Sequence, residues 1–291
     1  MSLGGLAPPA FGVSALGLRA RYPADTGRAR ACSDLMALRR AFSLVALTVA
    51  GVTGCGKDGD DTSLEAQTDK TVLDLGDVKT NPSSYAWFDF RPNVQKLILA
   101  GDAETEHVAI LWYTVSDGAV GLHYHAKTES VYVVDGTQTD AKGVYPTGTL
   151  YFNPPGSGHE ITNSSGFFIL AYASPPDFGS TDRIGEYTPV RIDTRAAELA
   201  SAHAFEPAAS GARVFTMPLD AEGGMTGQLL EVAAPSEHEY VGNYLLVLEG
   251  SCRIDGALHG REVLVVGSSV APRRFTLSAA DGPCLALGVS F

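Results

Sequence analysis

The sequence predicts an all-β protein made of two tandem β units, and the spacing of apolar runs and turn residues is the basis of this prediction. Short runs rich in β-branched and aromatic residues recur about every 8 to 12 residues, separated by Gly, Pro, Asn and Asp, as in sandwiches and barrels. A first series of runs ends at Tyr172, and a second extends from Ala212 to Ser290. Between them, Asp193 or Thr194 is a candidate N-cap for one short helix.

The composition limits the classes of partner. The chain has 291 residues, enough for two modest domains, and a formal net charge of −12. Without residues 1–54, which contain six Arg and two Asp, 31 acidic side chains face 15 basic ones. This excess of carboxylates repels phosphate backbones, so we expect no nucleic-acid partner. Acidic small ligands would also be repelled unless a bound cation reverses the field locally.

The N-terminal part has the pattern of a targeting segment. Arg39 and Arg40 precede an apolar run from Ala41 to Val52, which stops at the sequence Val-Thr-Gly-Cys ending in Cys55. The run has about a dozen residues, too short for a bilayer span of about 20, although a membrane anchor is the alternative interpretation. The pattern resembles bacterial lipoproteins, in which Cys55 would be the lipidated residue.

The expected organisation follows from this segment. Residues 1–54 would comprise an over-called start of the reading frame, placed upstream of the more natural first residue Met36, and then a lipoprotein signal. Residues 55–70 would be a disordered polar tether. The first β unit is predicted over 71–185 and the second over 186–291. We therefore expect an exported protein, attached to the membrane only through its lipid, at the outer membrane or the periplasmic face.

Two linked stretches of the first unit carry the chemistry. His123 and His125 are two residues apart, so on an extended strand both imidazoles point to the same face. Glu129 begins the next run, and a Pro/Gly turn after Gly148 leads to a third imidazole, His159. Three imidazoles and one carboxylate suit one divalent transition metal, namely Fe, Mn, Zn, Ni or Cu.

These stretches resemble the paired motifs of the cupin superfamily, and more narrowly the cupin domain of ChrR-type anti-sigma factors and related two-barrel proteins. The first motif matches from His123 to Gly136, although Gly118 lies one residue closer to His123 than in the family. The second matches at every stated position: Gly148, Pro154, Gly156, His159 and Asn163. The resemblance implies two tandem cupin (jelly-roll) barrels, with a metal bound by His123, His125, Glu129 and His159.

Two classes of function remain open. One is a metal-dependent dioxygenase acting on a small chelating carbonyl or aromatic compound; the other is a non-catalytic ligand-binding or sensory module with a structural metal. Export argues against a true anti-sigma factor. No catalytic acid or base is identified, because the strand parity of Glu160 points it away from His159. We expect a small-molecule partner and also consider a homodimer.

Other side chains near the motifs have less specific interpretations. Several aromatic residues are candidates either for the core or for an apolar pocket above the ion: Trp87, Phe88, Trp112, Tyr113, Tyr132 and Tyr151. The histidines without a partner at ligand spacing are interpreted as structural or surface residues: His107, His203, His238 and His259.

The second unit preserves only a trace of the first motif. Aligning Gly250 with Gly136 places Asn243, Glu239 and Glu237 where the first unit has Glu129, His125 and His123, so we predict a degenerate barrel without a metal site. Arg273, Arg274 and Phe275 follow its Gly-to-Pro turn, where Gly and the third ligand would come. Cys252 and Cys284 either form a disulfide, which export permits, or are two small buried apolar residues.

Overall fold

A computed structural model describes residues 70–196, 199–208 and 210–291, within one compact unit that spans 61–291. The predicted signal segment, the lipidation residue Cys55 and the predicted tether up to residue 69 lie outside the described residues. In the described part of the chain, no helix has the length and apolar character needed to cross a membrane.

Strands dominate the described chain. The strands up to residue 193 are, in chain order, β1 (Lys70–Asp74), β2 (Phe88–Arg91), β3 (Val94–Gly101), β4 (His107–Tyr124), β5 (Glu129–Asp140), β6 (Gly143–Pro146), β7 (Thr149–Asn153), β8 (Gly158–Tyr172) and β9 (Val190–Asp193). Those of the second half are β10 (Glu206–Pro207), β11 (Arg213–Thr216), β12 (Thr226–Val232), β13 (Glu237–Gly242), β14 (Tyr244–Glu249), β15 (Cys252–Ile254), β16 (Ala257–His259), β17 (Val263–Gly267), β18 (Arg273–Ala279) and β19 (Cys284–Ser290).

The strands form two antiparallel barrels. The first contains one sheet in the order β2-β3-β4-β8-β5-β7-β9, with β6 paired to β5. The second contains a sheet in the order β1-β17-β14-β19-β12-β11-β10 and a smaller sheet in the order β13-β18-β15-β16. The predicted all-β fold with two tandem jelly-roll barrels is therefore confirmed.

The strand pairing places β1 in the second barrel and β9 in the first. β1 begins the described chain but pairs with β17 of the second barrel, with Val72 opposite Val265. In turn, β9 lies beyond the predicted boundary at 185 but pairs with β7 of the first barrel, with Leu150 opposite Ile192. The strand pairing therefore differs at both edges from the predicted limits of 71–185 and 186–291.

Three clusters of buried side chains form the core. One fills the first barrel, one fills the second, and the largest lies between them and draws residues from both. Along β8, Phe168 packs inside the first barrel whereas Ile169 packs between the barrels. Such strands are buried on both faces, which explains why their sequences are apolar throughout instead of alternating.

The helical segments are short. They comprise α1 (Leu75–Thr80), α2 (Leu199–Ala202) and three 3₁₀ turns (Pro82–Ser84, Thr181–Arg183 and Ala221–Gly223). One short helix was predicted between the units, and α2 lies there, but Asp193 and Thr194 do not cap it. Asp193 ends β9, and the Thr194 hydroxyl donates to the Gly148 carbonyl at 2.7 Å. The prediction missed α1, which is capped by Asp74, whose side chain accepts from two backbone N–H groups.

A disulfide joins β15 to β19 in the second barrel. Cys252 and Cys284 are bonded, with their Cα atoms 5.5 Å apart and a sequence separation of 32. Both side chains are buried in the core of that barrel. Of the two alternatives left open by the sequence, the structure has the bonded one, and closing a loop of this length stabilises a fold by about 3–4 kcal/mol.

Candidate metal centre

The three strands β4, β5 and β8 bring the predicted ligands together. His123 lies near the end of β4, opposite His159 of β8. His125 follows β4 directly and stays extended, because its N–H donates to the Ser157 carbonyl at 2.9 Å and its carbonyl accepts from Gly156 N–H at 2.8 Å. Glu129 is the first residue of β5, which pairs with the other end of β8.

The four side chains form a compact buried group. One candidate ligand atom from each of His123, His125, Glu129 and His159 lies within 4.8 Å of the others, and within the described ranges this is the one group of its kind. The residues are 3%, 0%, 3% and 4% exposed, respectively. Such separations between ligand atoms allow a single ion to contact all four.

Hydrogen bonds fix which imidazole atoms face the centre. Nδ1–H of His123 donates to the Gly121 carbonyl at 2.9 Å, and Nδ1–H of His159 donates to Asp140 Oδ2 at 2.9 Å. Each ring therefore turns its Nε2 atom toward the group.

Unpaired buried atoms at the centre fit a cation. Neither ring nitrogen of His125 has a hydrogen-bond partner although the side chain is fully buried. Its Nε2 lies 3.4 Å from Glu129 Oε2, which also accepts from Asn153 Nδ2 at 2.7 Å. A buried nitrogen without a donor or acceptor partner is costly, and a divalent ion would satisfy it.

The electrostatics of the group are dominated by burial and by one carboxylate. Burial lowers the pKa of His123 to about 3 and that of His125 to about 4, so both imidazoles are neutral and suited to bind metal. Burial raises the pKa of the Glu129 carboxyl, but His125 and His159 outweigh this effect and hold that pKa well below the usual range. Burial also opposes protonation of His159, yet hydrogen bonds to Asp140 and Glu129 raise its pKa to about 9.

Sequence reasoning missed the residues that support the ligands. Asp140 orients His159 and also accepts from the Tyr145 hydroxyl at 3.2 Å. Asn153 lies within the second motif, but the motif gives it no role; in the structure it contacts Glu129. Register shifts occur within the β5–β8 pairing, so counting alternate residues along the sequence does not place Asp140 on the inner face.

Most of the candidate pocket aromatics belong to the core. Trp87 and Trp112 pack with Phe167 at the cluster between the barrels, and Tyr132 and Tyr151 are buried in the cores. Tyr113 lines the cavity beside the ligands. Phe88 lines a separate cleft. Glu160 is exposed, as its strand parity predicts.

The remaining histidines are not part of the ligand group and have other contacts. His203 packs against Phe215 with ring centroids 4.6 Å apart, and His238 Nδ1 lies 3.0 Å from Ser210 Oγ. His259 pairs with Cys252 across β15 and β16. His107 is fully buried and contacts Lys96.

The equivalent positions of the second barrel do not form a metal group. Glu237 and Glu239 are exposed, and Glu239 pairs with Arg274. Asn243 is fully buried, but its Nδ2 donates to the Val270 carbonyl at 2.6 Å and its Oδ1 accepts from Phe291 N–H at 2.8 Å. Asn243 thus binds the backbone of Val270 and Phe291 at the position where the first barrel has the ligand Glu129.

The Asp140–His159 hydrogen bond leads to a first prediction. Asp140→Asn should weaken metal binding about 10–100-fold, because an amide accepts the same hydrogen bond without the negative charge that makes His159 a better ligand. Competition against a chromophoric chelator measures this affinity. Asp135→Asn, an exposed change on the same strand, is the control and should leave the metal affinity unchanged. Equal metal affinities for the two variants would restrict Asp140 to a structural role.

Comparisons with known proteins agree with this geometry. Residues 75–175 match the ChrR Cupin-like domain family, whereas no curated protein matches the chain. Salicylate 1,2-dioxygenase from Pseudoaminobacter salicylatoxidans is 13% identical, with coverage of 79% of this chain and 84% of that chain and a TM-score of 0.50.

Two further solved structures show weaker similarity. A candidate dioxygenase from Nostoc punctiforme is 10% identical over 76% of this chain and 82% of its own, with a TM-score of 0.49. A Bacillus subtilis oxalate decarboxylase variant is 12% identical over 77% and 76%, with a TM-score of 0.41. The chain thus folds into two tandem barrels, and the first of them, over residues 75–175, matches the ChrR Cupin-like domain family.

Proposed function

We propose that this protein binds one divalent transition metal through His123, His125, Glu129 and His159, and that it oxidises a small chelating carbonyl or aromatic compound in a dioxygenase-type reaction. The observation that carries the proposal is the buried His/Glu group with unpaired nitrogens on His125. A buried polar atom without a partner is costly, and a cation would supply a partner for one of the His125 nitrogens.

The ligand set determines what chemistry is available. His123, His125, Glu129 and His159 would hold the ion, and a redox-active ion such as iron would supply Lewis-acid and oxidative chemistry there. The chain itself contributes a small cavity and fixed ring orientations. Val120, Ile161 and Leu170 provide apolar walls, which exclude competing water.

A non-catalytic role is the second candidate function, and one observation favours it. The cavity beside the ligands encloses only about 10 Å³, about the volume that one water molecule requires. A molecule larger than water would fit beside the ligands only if residues that line the cavity moved. In this alternative the metal is structural, and the protein binds a ligand or signal without converting it.

We further propose that the protein is exported and held at the cell envelope by a lipid on Cys55. The support is the basic pair, apolar run and terminal Cys of the signal segment. Ionic attraction to anionic lipid would contribute nothing, because the exported part is strongly acidic.

Metal content tests the ligand assignment. The protein should contain about one divalent ion per chain by plasma mass spectrometry, and His125→Ala should abolish this content because the site loses a fully buried ligand. His238→Ala, which changes a histidine outside the group, is the matched control. Stoichiometric metal in the His125 variant would refute the assignment.

Oxygen consumption separates the two candidate functions. Fe(II)-loaded protein should consume O₂ in the presence of β-diketones or hydroxy-aromatic acids, measured with an oxygen electrode. Glu129→Gln should reduce the rate at least tenfold, because a neutral amide is a much weaker ligand than a carboxylate. Fully loaded wild-type protein that shows no uptake above free iron, while a cupin dioxygenase responds, would favour the binding role.

Fractionation tests the anchor. Expressed from Met36 in a bacterium, the protein should be recovered with membranes, whereas Cys55→Ser should be released or remain unprocessed, because it has no thiol for the lipid. Unmodified wild-type protein in the cytosol would contradict export.

A further inference from the structure

A buried lysine lies beside the metal centre. Lys96 of β3 is 1% exposed, and its Nζ lies 3.3 Å from His107 Nε2 and 3.9 Å and 5.1 Å from the ring centroids of Phe90 and Tyr172. Burial and the charge of the nearby ligand Glu129 raise the pKa of the Tyr172 hydroxyl. Lysine is rarely buried to this extent unless an acidic group pairs with it.

The neighbouring His107 does not offset the positive charge of Lys96. Nδ1–H of His107 donates to the Thr105 carbonyl at 2.7 Å, so Nε2 is the acceptor for Lys96. Burial and the lysine charge lower the pKa of His107 to about 4, and the ring is neutral. Burial lowers the pKa of Lys96 to about 8, so its amine remains mostly protonated at neutral pH.

Carboxylates surround Lys96 only at a distance. Within the described part of the chain, Lys96 and Arg91 form no ion pair. The acidic groups that most affect Lys96 are Glu129, which is engaged at the metal centre, and Glu104, which is exposed. The lysine therefore carries the cost of a buried charge without the partner that would offset it.

Lys96 lines a cleft that adjoins the metal cavity. The cleft encloses about 330 Å³, within the range of small-molecule sites of about 300–1,000 Å³. It shares Phe90 and Pro176 with the cavity beside the ligands. Its other apolar walls include Phe88 and Phe178.

Arg91 is the second cation of the cleft. Its guanidinium carbon lies 4.4 Å from the ring centroid of Phe90 and 4.1 Å from that of Phe178, and one of its N–H groups donates to the Phe90 carbonyl. The cleft also contains Asp89 and Glu104, but both are exposed, and Asp89 accepts from Gln95 Nε2 at 2.5 Å. Cations thus lie deeper than carboxylates, in a protein that is acidic overall.

We propose that this cleft binds a small aromatic or apolar monocarboxylic acid, whose carboxylate is held by Lys96 and Arg91 and whose apolar body lies against Phe90 and Phe178. The carboxylate would supply the missing counter-charge to Lys96, and two oxygen atoms can accept from both cations. That such an acid is also the substrate rests on the proposed function, whereas its binding to the cleft does not. Phe90 and Pro176 separate the bound acid from the metal centre.

Calorimetric titration of the full chain tests the proposal with benzoate, phenylacetate and isobutyrate, each compared with its neutral amide. At least one acid should bind at least tenfold more tightly than its amide. Lys96→Met should weaken that binding about tenfold or more, since a hydrogen bond to a charged group is lost, and should raise the melting temperature, since a buried charge is removed. Lys142→Met, an exposed change outside the cleft, should alter neither property.

Two further measurements make the result decisive. Arg91→Met, at a half-buried position, should also weaken acid binding. This variant provides the test if the Lys96 variant cannot be purified. The titrations are repeated after removal of metal with EDTA. Acid binding that persists and still requires Lys96 supports the proposed acid site even if the metal assignment is wrong. Amides that bind as tightly as acids, or a Lys96 variant with wild-type affinity, would overturn the cleft and leave the metal assignment intact.

Discussion

The burial of one carboxylate constrains the whole first barrel. Glu129 is almost completely excluded from water, and an isolated charge in that position would be prohibitively unstable. Three imidazoles and the amide of Asn153 surround it. Protonated His159 can balance the charge in the metal-free protein, and a divalent ion would take over that role, with release of the proton. The strand register, the turn before His159 and the position of Asp140 all help to place the groups that balance the negative charge of Glu129.

The second barrel supports the first without repeating its chemistry. Its inner strands are as apolar as those of the first barrel, and the largest apolar cluster lies at the junction of the two. At the position equivalent to a ligand, Asn243 binds backbone groups instead. Packing and chain closure have replaced metal binding there, which is consistent with a barrel kept for stability.

The sequence was sufficient to predict the fold class and to select the residues that gather at the centre, because strand alternation and the two motifs are local signals. Asp140, Lys96 and α1 could not be predicted in the same way. The inward position of Asp140 depends on register shifts between β5 and β8. Lys96 lies on a strand with polar and apolar neighbours, and its burial depends on aromatic residues distant in sequence, such as Tyr172. The helix α1 is only six residues long.

The pairing of β1 with β17 joins the start of the described chain to the second barrel. A chain cut between residues 185 and 190 would leave β7 without β9, and loss of β1 would leave β17 with an open side. An open edge presents unpaired N–H and C=O groups and invites association with other chains. β1 also directly follows the segment that leads from Cys55. A mechanical pull on the N-terminus would therefore be borne first by the second barrel and not by the one that contains the metal group.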